Sequence, residues 1–312
     1  MNQHPVISVI IPVYGVEKYI VECAESLFEQ DYANLQFIFV NDGTKDRSIE
    51  VLRDLINAKY SHMWEQITIV DKENGGLPAA RRTGLEHVSG DYIYNVDPDD
   101  WLTPGSLRKI ADVAAKTDAD IIYFDYVKEY ENRSSVKKEG VYSGNTRSEY
   151  VRDMYNHNAY GTLCNKCIKT SLFRDHEIYV PKYGYAEDCY VSVQLAGYSS
   201  VIERLDEVVY HYRKNNPTSL TRNSRKRRKE EYAMNFLDLY ERYRDIPAES
   251  NPIASIMDDI IIQAGWYSIF YGLNLFGRYP YLAATVRKAS MRSGTDVFFP
   301  AQILTKLVAL LK

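Results

Sequence analysis

Four stretches of the chain carry side chains whose types and spacing could do chemistry together. Asp97, Asp99 and Asp100 lie within four residues, and the pair Asp97-x-Asp99 supplies hard carboxylate oxygens of the kind that Mg²⁺ or Mn²⁺ prefers. Asp42 stands before Gly43 at the end of one apolar run, and Pro12, Val13 and Tyr14 close another. Glu187 and Asp188 are adjacent carboxylates, Lys166 sits in Cys-Asn-Lys-Cys, and His211 and Arg213 lie in a tyrosine-rich run. No Gly-x-Gly-x-x-Gly follows the first apolar run and no Gly-x-x-x-x-Gly-Lys occurs, so the dinucleotide fingerprint and the phosphate loop are both absent. Carboxylates repel phosphates unless a divalent cation stands between them. A metal-bridged diphosphate is therefore the chemistry that the aspartates point to.

These residues need elements to position them, and the first hundred residues alternate two hydrophobic periods. Residues 7–13 form a β-branched run, apolar but for Ser8, of the kind expected of a strand buried on both faces, and Ile20, Cys23, Ala24, Leu27 and Phe28 follow at helical spacing. The unit repeats: strand at 37–40, helix around Ile49, Leu52, Leu55 and Ile56, strand at 67–70, helix at 77–88, strand at 91–96. Three consecutive crossovers predict right-handed βαβ units and a mostly parallel, doubly wound α/β sheet. In such a sheet ligands bind beyond the carboxyl ends of the strands, which is where Tyr14, Asp42 and Asp97 fall. A helix after Pro104, a strand at 119–126, an exposed excursion at 127–145, short helices near 150–155, 172–173 and 190–196, and a strand at 208–213 continue the pattern. From about residue 216 it becomes helical only, at 225–243, 253–276, 279–290 and 301–311. The expected organisation is an α/β domain over 1–215 that carries these residues, with halves of about 1–110 and 111–215, and a helical C-terminal region over 216–312.

Composition narrows the classes further. With 45% hydrophobic and 26% charged residues in 312, the chain reads as globular, and a net charge of -4 gives no global positive field for nucleic acid. Four cysteines are too few for a disulfide framework, and no leader or apolar run long enough to span a membrane is seen, so a cytoplasmic protein is expected. Cys164-x-x-Cys167 lacks a second pair and the strand-to-helix setting of a redox motif.

The motifs SVIIPVY (8–14), VNDGTKDRS (40–48), NGGLPAARRTGLEHVSGDYI (74–93) and DPDDWLTP (97–104) together resemble the ordered motifs of family 2 glycosyltransferases over about the first 110 residues. The resemblance implies the Rossmann-like GT-A fold and inverting, metal-dependent transfer of a sugar from a nucleotide donor, here a UDP-sugar, to a hydroxyl. It also implies roles. Pro12, Val13, Tyr14, Glu17, Asp42, Arg81 and Asp97 would serve nucleotide-sugar binding, Asp42 by accepting from a uracil N–H. Asp99 would ligate Mn²⁺ or Mg²⁺ with Asp97 beside it and Asp100 in support. YAEDCYVSVQ (185–194) resembles the acidic motif that supplies the catalytic base, Asp188 first and Glu187 second. VVYHYRKNNPTSLT (208–221) resembles a further element, from which Arg213 would contact the diphosphate and His211 complete the metal shell. Lys166 would face the acceptor or a phosphate. One departure is Asn41, where the family often has Asp.

The acceptor implied is a saccharide or a lipid-linked sugar in bacterial-type surface polysaccharide synthesis, and the sugar moved is a hexose or N-acetylhexosamine. Two other readings are a sugar-phosphate nucleotidylyltransferase, which would want a Gly-rich basic loop after the first strand, and a non-catalytic nucleotide-sugar-binding module. The basic run 222–229 suits either anionic lipid headgroups at the inner face of the membrane or a solvated helix face. The amphipathic stretch 298–312 suits a membrane surface, docking on the catalytic domain, or pairing in a homo-oligomer.

Overall fold

The computed structural model describes residues 4–138, 146–216 and 224–292. Residues 139–145 of the excursion, 217–221 of the tyrosine-rich segment, Arg222 of the basic run, and the stretches 298–312 and 301–311 lie outside the described residues. The chain divides into two compact units, Met1–Arg222 and Asn223–Lys312, where the sequence pattern had set the change at 215/216.

In the first unit β1 (Ile7–Val13) is buried at every position. Its residues Ile7, Val9, Ile11 and Val13 join one core with Cys23 and Leu27 of α1 (Ile20–Phe28), Leu52 of α2 (Ser48–Lys59) and Ile110 of α4 (Ser106–Thr117). Ile10 points the other way, to Ala80 of α3 (Leu77–Glu86) and to Ile38 and Val40 of β2 (Leu35–Asn41). Helices on both faces leave no solvent side, which is why the strand shows no polar alternation. A Cβ on Gly84 would lie 2.4 Å from Ile10 Cγ2, so glycine is what lets α3 settle on the sheet.

The remaining strands are β3 (Ile67–Asp71), β4 (Tyr92–Asn95), β5 (Trp101–Leu102), β6 (Ile121–Tyr130), β7 (Arg133–Lys137), β8 (Lys166–Lys169) and β9 (Ile202–Arg213). They order as β3-β2-β1-β4-β8-β6-β9-β5, with β7 paired to β6. β1 pairs parallel with both β2 and β4, and β2 with β3, so the chain winds out one way from β1 and then the other. That reversal opens a crevice at the carboxyl ends of β1, β2 and β4. Beyond β4 the sheet is more mixed than expected: β8 runs antiparallel to β4 and β6, and β5 to β9. At four and two residues, β8 and β5 are too short to show a period. Helices α5 (Arg147–Tyr155), α6 (Thr170–Asp175) and α7 (Glu187–Tyr198) complete the unit.

The second unit is helical. Ser224 caps α8 (Arg225–Tyr243), accepting from the Arg227 N–H, and Tyr232, Phe236, Leu239 and Tyr243 form its buried stripe. The single helix expected over 253–276 is instead a short 3₁₀ turn, α9 (Met257–Phe270) and α10 (Leu275–Arg278), interrupted near Gly272 at φ 59°. Gly265 of α9 approaches Val286 of α11 (Leu282–Arg292), where an added Cβ would sit 3.0 Å away.

Candidate active site

The crevice is fixed first by a knot between the loop after β1 and the turn after β2. Asp46 Oδ1 accepts from Thr44 Oγ1 at 2.7 Å and Ser48 Oγ at 2.6 Å, and its Oδ2 accepts from the Glu17 N–H at 3.0 Å. Thr44 Oγ1 and Ser48 Oγ in turn accept from the N–H groups of Gly15 and Val16. Three consecutive N–H groups, 15 to 17, are thus satisfied by one motif, and Tyr14 is presented at the end of β1 with 52% of its surface exposed. Burial would raise the Asp46 carboxyl, but the hydrogen bonds from Ser48, Thr44 and the backbone outweigh it and hold the group below the ordinary aspartate range. Glu17 accepts from the Arg47 N–H, which binds it to the same knot.

Asp42 directly follows β2 and is buried. Its Oδ1 accepts from Lys72 Nζ and the Gly75 N–H, and its Oδ2 from the Gly76 N–H at 2.8 Å. Gly76 has φ 82°, which an L side chain adopts only with strain, so the glycines let two N–H groups converge on one carboxylate. Asp42 therefore organises the 72–76 loop, and Oδ2 retains acceptor capacity for a further donor.

Arg81 of α3 is buried and joins two distant acids: Nη2 donates to Asp97 Oδ1 at 2.8 Å and Nη1 to Glu187. Glu187 opens α7 directly after Ala186, held in the left-handed region at φ 59°, a costly geometry for a non-glycine residue. The Glu187 carboxylate, expected as the second choice for a base, is occupied by this buried pair. Asp188 beside it accepts, among the described residues, only from its neighbour's N–H, of Cys189 at 2.9 Å, and lies within electrostatic reach of Arg81, Asp97 and Lys166. Burial pushes its carboxyl above the ordinary range against the pull of Arg81 and Lys166.

The three aspartates after β4 divide their work. Asp100 is fully engaged, Oδ2 accepting from Tyr210 at 2.5 Å and Oδ1 from the Arg213 N–H at 2.7 Å; burial and the charges of Asp99 and Asp97 push it well above the ordinary range. Tyr210 also accepts from the Asp97 N–H. Asp99 Oδ2 accepts from Asn216 Nδ2 at 2.7 Å. Asp97 Oδ2 and Asp99 Oδ1 take no hydrogen bond from another described residue, so two hard oxygens remain. Among the described residues no group of three His, Cys, Asp or Glu side chains is arranged to hold a metal. Two carboxylates still suit an ion such as Mg²⁺, which usually takes one or two from protein and the rest from phosphates and water.

His211 differs from the expected metal ligand. Its Nδ1 pairs with Glu129 at 2.8 Å and its Nε2 with Thr103 Oγ1 at 3.1 Å, while its ring stacks on Trp101 at 5.2 Å. With both nitrogens occupied it braces β9 against β5. Arg213 likewise lies between the rings of Tyr19 and Trp101, at 5.1 and 4.6 Å, donates to the Asp99 carbonyl and pairs with Glu22. It is a clamp on the aspartate turn, at the edge of the crevice. Lys166 is buried, and its ammonium donates to the carbonyls of Tyr160 and Thr162 and to Asn165 Oδ1, bracing that turn instead of facing an acceptor. Asp46, Lys72, Tyr210 and Asn216 escaped the sequence reading. Asp46, Tyr210 and Asn216 lay inside quoted motifs, and Asp46 could have been weighed as a knot; Lys72, Tyr210 and Asn216 act on partners 30 or more residues away, which leaves no local signal.

The sequence model of Glycosyl transferase family 2 matches residues 8–176. The chain is 29% identical over 223 residues to the uncharacterized glycosyltransferase EpsJ of Bacillus subtilis (strain 168), a match covering 70% of this chain and 63% of that protein. It spans less than two thirds of the length of the curated relatives it matches. Its fold is similar to that of S. aureus TarS 1-349 in complex with UDP-GlcNAc, at TM-score 0.63 and 18% identity, covering 93% of this chain and 92% of that one. It is also similar to the mannosyltransferase PcManGT of Pyrobaculum calidifontis in complex with GDP-Man and Mn²⁺, at TM-score 0.58 and 19% identity, covering 99% and 81%.

Proposed function

The chain belongs to glycosyl transferase family 2, and from that membership we propose that it transfers a sugar from a UDP-sugar to a hydroxyl of a saccharide or lipid-linked acceptor, with inversion, in surface polysaccharide synthesis. The observation that carries the reading is the meeting of Asp97 and Glu187 on Arg81, with Asp188 next to Glu187 and within electrostatic reach of the same guanidinium. Carboxylates of the 97–100 turn and of the start of α7, far apart in the chain, are thereby held in one cluster.

Asp188 is the base. It is the carboxylate of the pair that is not tied to Arg81, and its raised proton affinity suits removal of a proton from an acceptor hydroxyl as that oxygen attacks the anomeric carbon. Displacement from the opposite face needs no enzyme nucleophile and inverts the centre. Tyr14 and Asp42 are positioned for the base and ribose, the first as an exposed ring and the second through Oδ2. Asp97 and Asp99 would hold Mn²⁺ or Mg²⁺, which when bound supplies positive charge to the departing diphosphate. Glu187 positions Arg81, and Arg213 with Asn216 holds the aspartate turn in place. The UDP preference draws support from the UDP-GlcNAc complex of TarS, although the GDP-Man complex of PcManGT shows that the fold serves another nucleotide. The four cysteines are all free thiols, which suits a reducing compartment such as the cytoplasm.

Calorimetric titration with UDP, GDP, CMP and dTDP, with and without Mn²⁺, tests this. UDP should bind alone and only with metal, and Asp99→Asn should abolish that binding. Metal-dependent binding of GDP alone would move the donor class; no binding of any nucleotide would sink the proposal.

A further inference from the structure

Within the second unit, two features that are unusual on a protein surface occur side by side. The first two turns of α8 carry Arg225, Lys226, Arg227, Arg228 and Lys229 in succession, the first three exposed. The last turn of α9 carries Trp266 and Phe270, rings stacked 4.8 Å apart at 12°, with Phe270 62% exposed. Tyr271 follows directly. Contacts join the two clusters: the Arg225 guanidinium lies 5.7 Å from the Tyr271 ring, and Lys229 sits 4.7 Å from the Tyr267 ring while donating to its hydroxyl at 2.8 Å. The acidic neighbours are already paired, Glu231 with Arg227 and Glu230 with Arg278.

We infer that this corner is a docking surface for an anionic lipid bilayer. Aromatic rings flanked by cations are the combination that sits at headgroup level, the rings entering the acyl boundary and the cations meeting lipid phosphates. A solvated helix face would explain the cations but not an exposed Phe270 stacked on Trp266. Charge complementarity also orients the contact. The chain carries a net charge of -4, so an anionic plane attracts this corner while repelling much of the remainder. The inference concerns the second unit alone and holds whether or not the transfer reaction is as proposed.

The test is flotation of the full chain with vesicles of phosphatidylcholine, with and without phosphatidylglycerol, at rising salt. The chain should float with the anionic vesicles only, and less as salt rises. Arg225→Gln and Lys226→Gln should each weaken binding about fivefold, and Phe270→Ser roughly tenfold, with unchanged circular dichroism and melting. No flotation, equal flotation on neutral vesicles, or variants that bind as the parent does would overturn the inference. So would retardation of an RNA oligonucleotide without vesicle binding, which would assign the cations to nucleic acid. Sedimentation velocity supplies the remaining outcome: loss of a dimer in Phe270→Ser with vesicle binding intact would make the patch a self-association face and overturn the lipid assignment.

Discussion

Glu187 and Asp188 are adjacent carboxylates that do different work because one meets Arg81 and the other does not. Asp188→Asn should leave UDP affinity near that of the parent while cutting transfer by at least about 10²-fold. Glu187→Gln removes the charge from a buried pair, so it should cost about 3 kcal/mol in urea unfolding and keep transfer within roughly tenfold of the parent. Equal kinetic losses in the two variants, with no stability difference, would dissolve the division of labour. Arg81 explains why the pair cannot be read from residue type alone. Its partners lie 16 and 106 residues away in the chain, and only their meeting tells the positioning acid from the base.

At the scale of elements, two tight junctions hold the crevice open in one shape. The knot around Asp46 fastens the loop after β1 to the turn after β2. Because the folded state holds Asp46 below its ordinary proton affinity, its contribution is present above the ordinary aspartate value of about 4 and disappears as pH falls through the lower folded value. Acid unfolding followed by fluorescence should show this as a steeper loss of stability in the parent than in Asp46→Asn; parallel curves would remove the knot's electrostatic role. The second junction is α3 on β1. Gly84→Ala should gain roughly 1 kcal/mol of helix propensity yet lose more, because its Cβ meets a β-branched core side chain, for a net cost of about 1–2 kcal/mol in thermal unfolding. Ile10→Ala in the same chain should make the Gly84→Ala step less costly. A stabilised Gly84→Ala would mean the helix can lift without penalty.

For the whole molecule, the thiols give a simple measurement. All four cysteines are free, three are buried, and burial raises each thiol. Native protein should react slowly with a thiol reagent, four groups should appear in denaturant, and melting should be the same with and without reductant. A reductant-dependent melting temperature would point to a disulfide instead. The sequence by itself determined the alternation of strands and helices in the first hundred residues and the strand ends at Tyr14, Asp42 and Asp97, because a strand buried on both faces and a one-sided helix leave different hydrophobic periods in adjacent residues. It also determined the family, because four ordered motifs lie close together in the chain. Tertiary structure decided what periodicity cannot encode. The short strands β5 and β8 carry too few residues to show a period, and they exist because β9, β4 and β6 pair with them. Lys166, His211 and Arg213 have the residue types of site groups, yet the Lys166 ammonium is bound by carbonyls of its own turn, and the polar atoms of His211 and Arg213 meet carboxylates, a carbonyl and rings brought in by other elements. Tyr210 and Asn216 became holders of the aspartate turn from more than a hundred residues away. Whether a polar side chain is available to a ligand depends on which partners the fold brings within hydrogen-bonding distance, and for His211, Arg213, Tyr210 and Asn216 those partners lie far away in the chain.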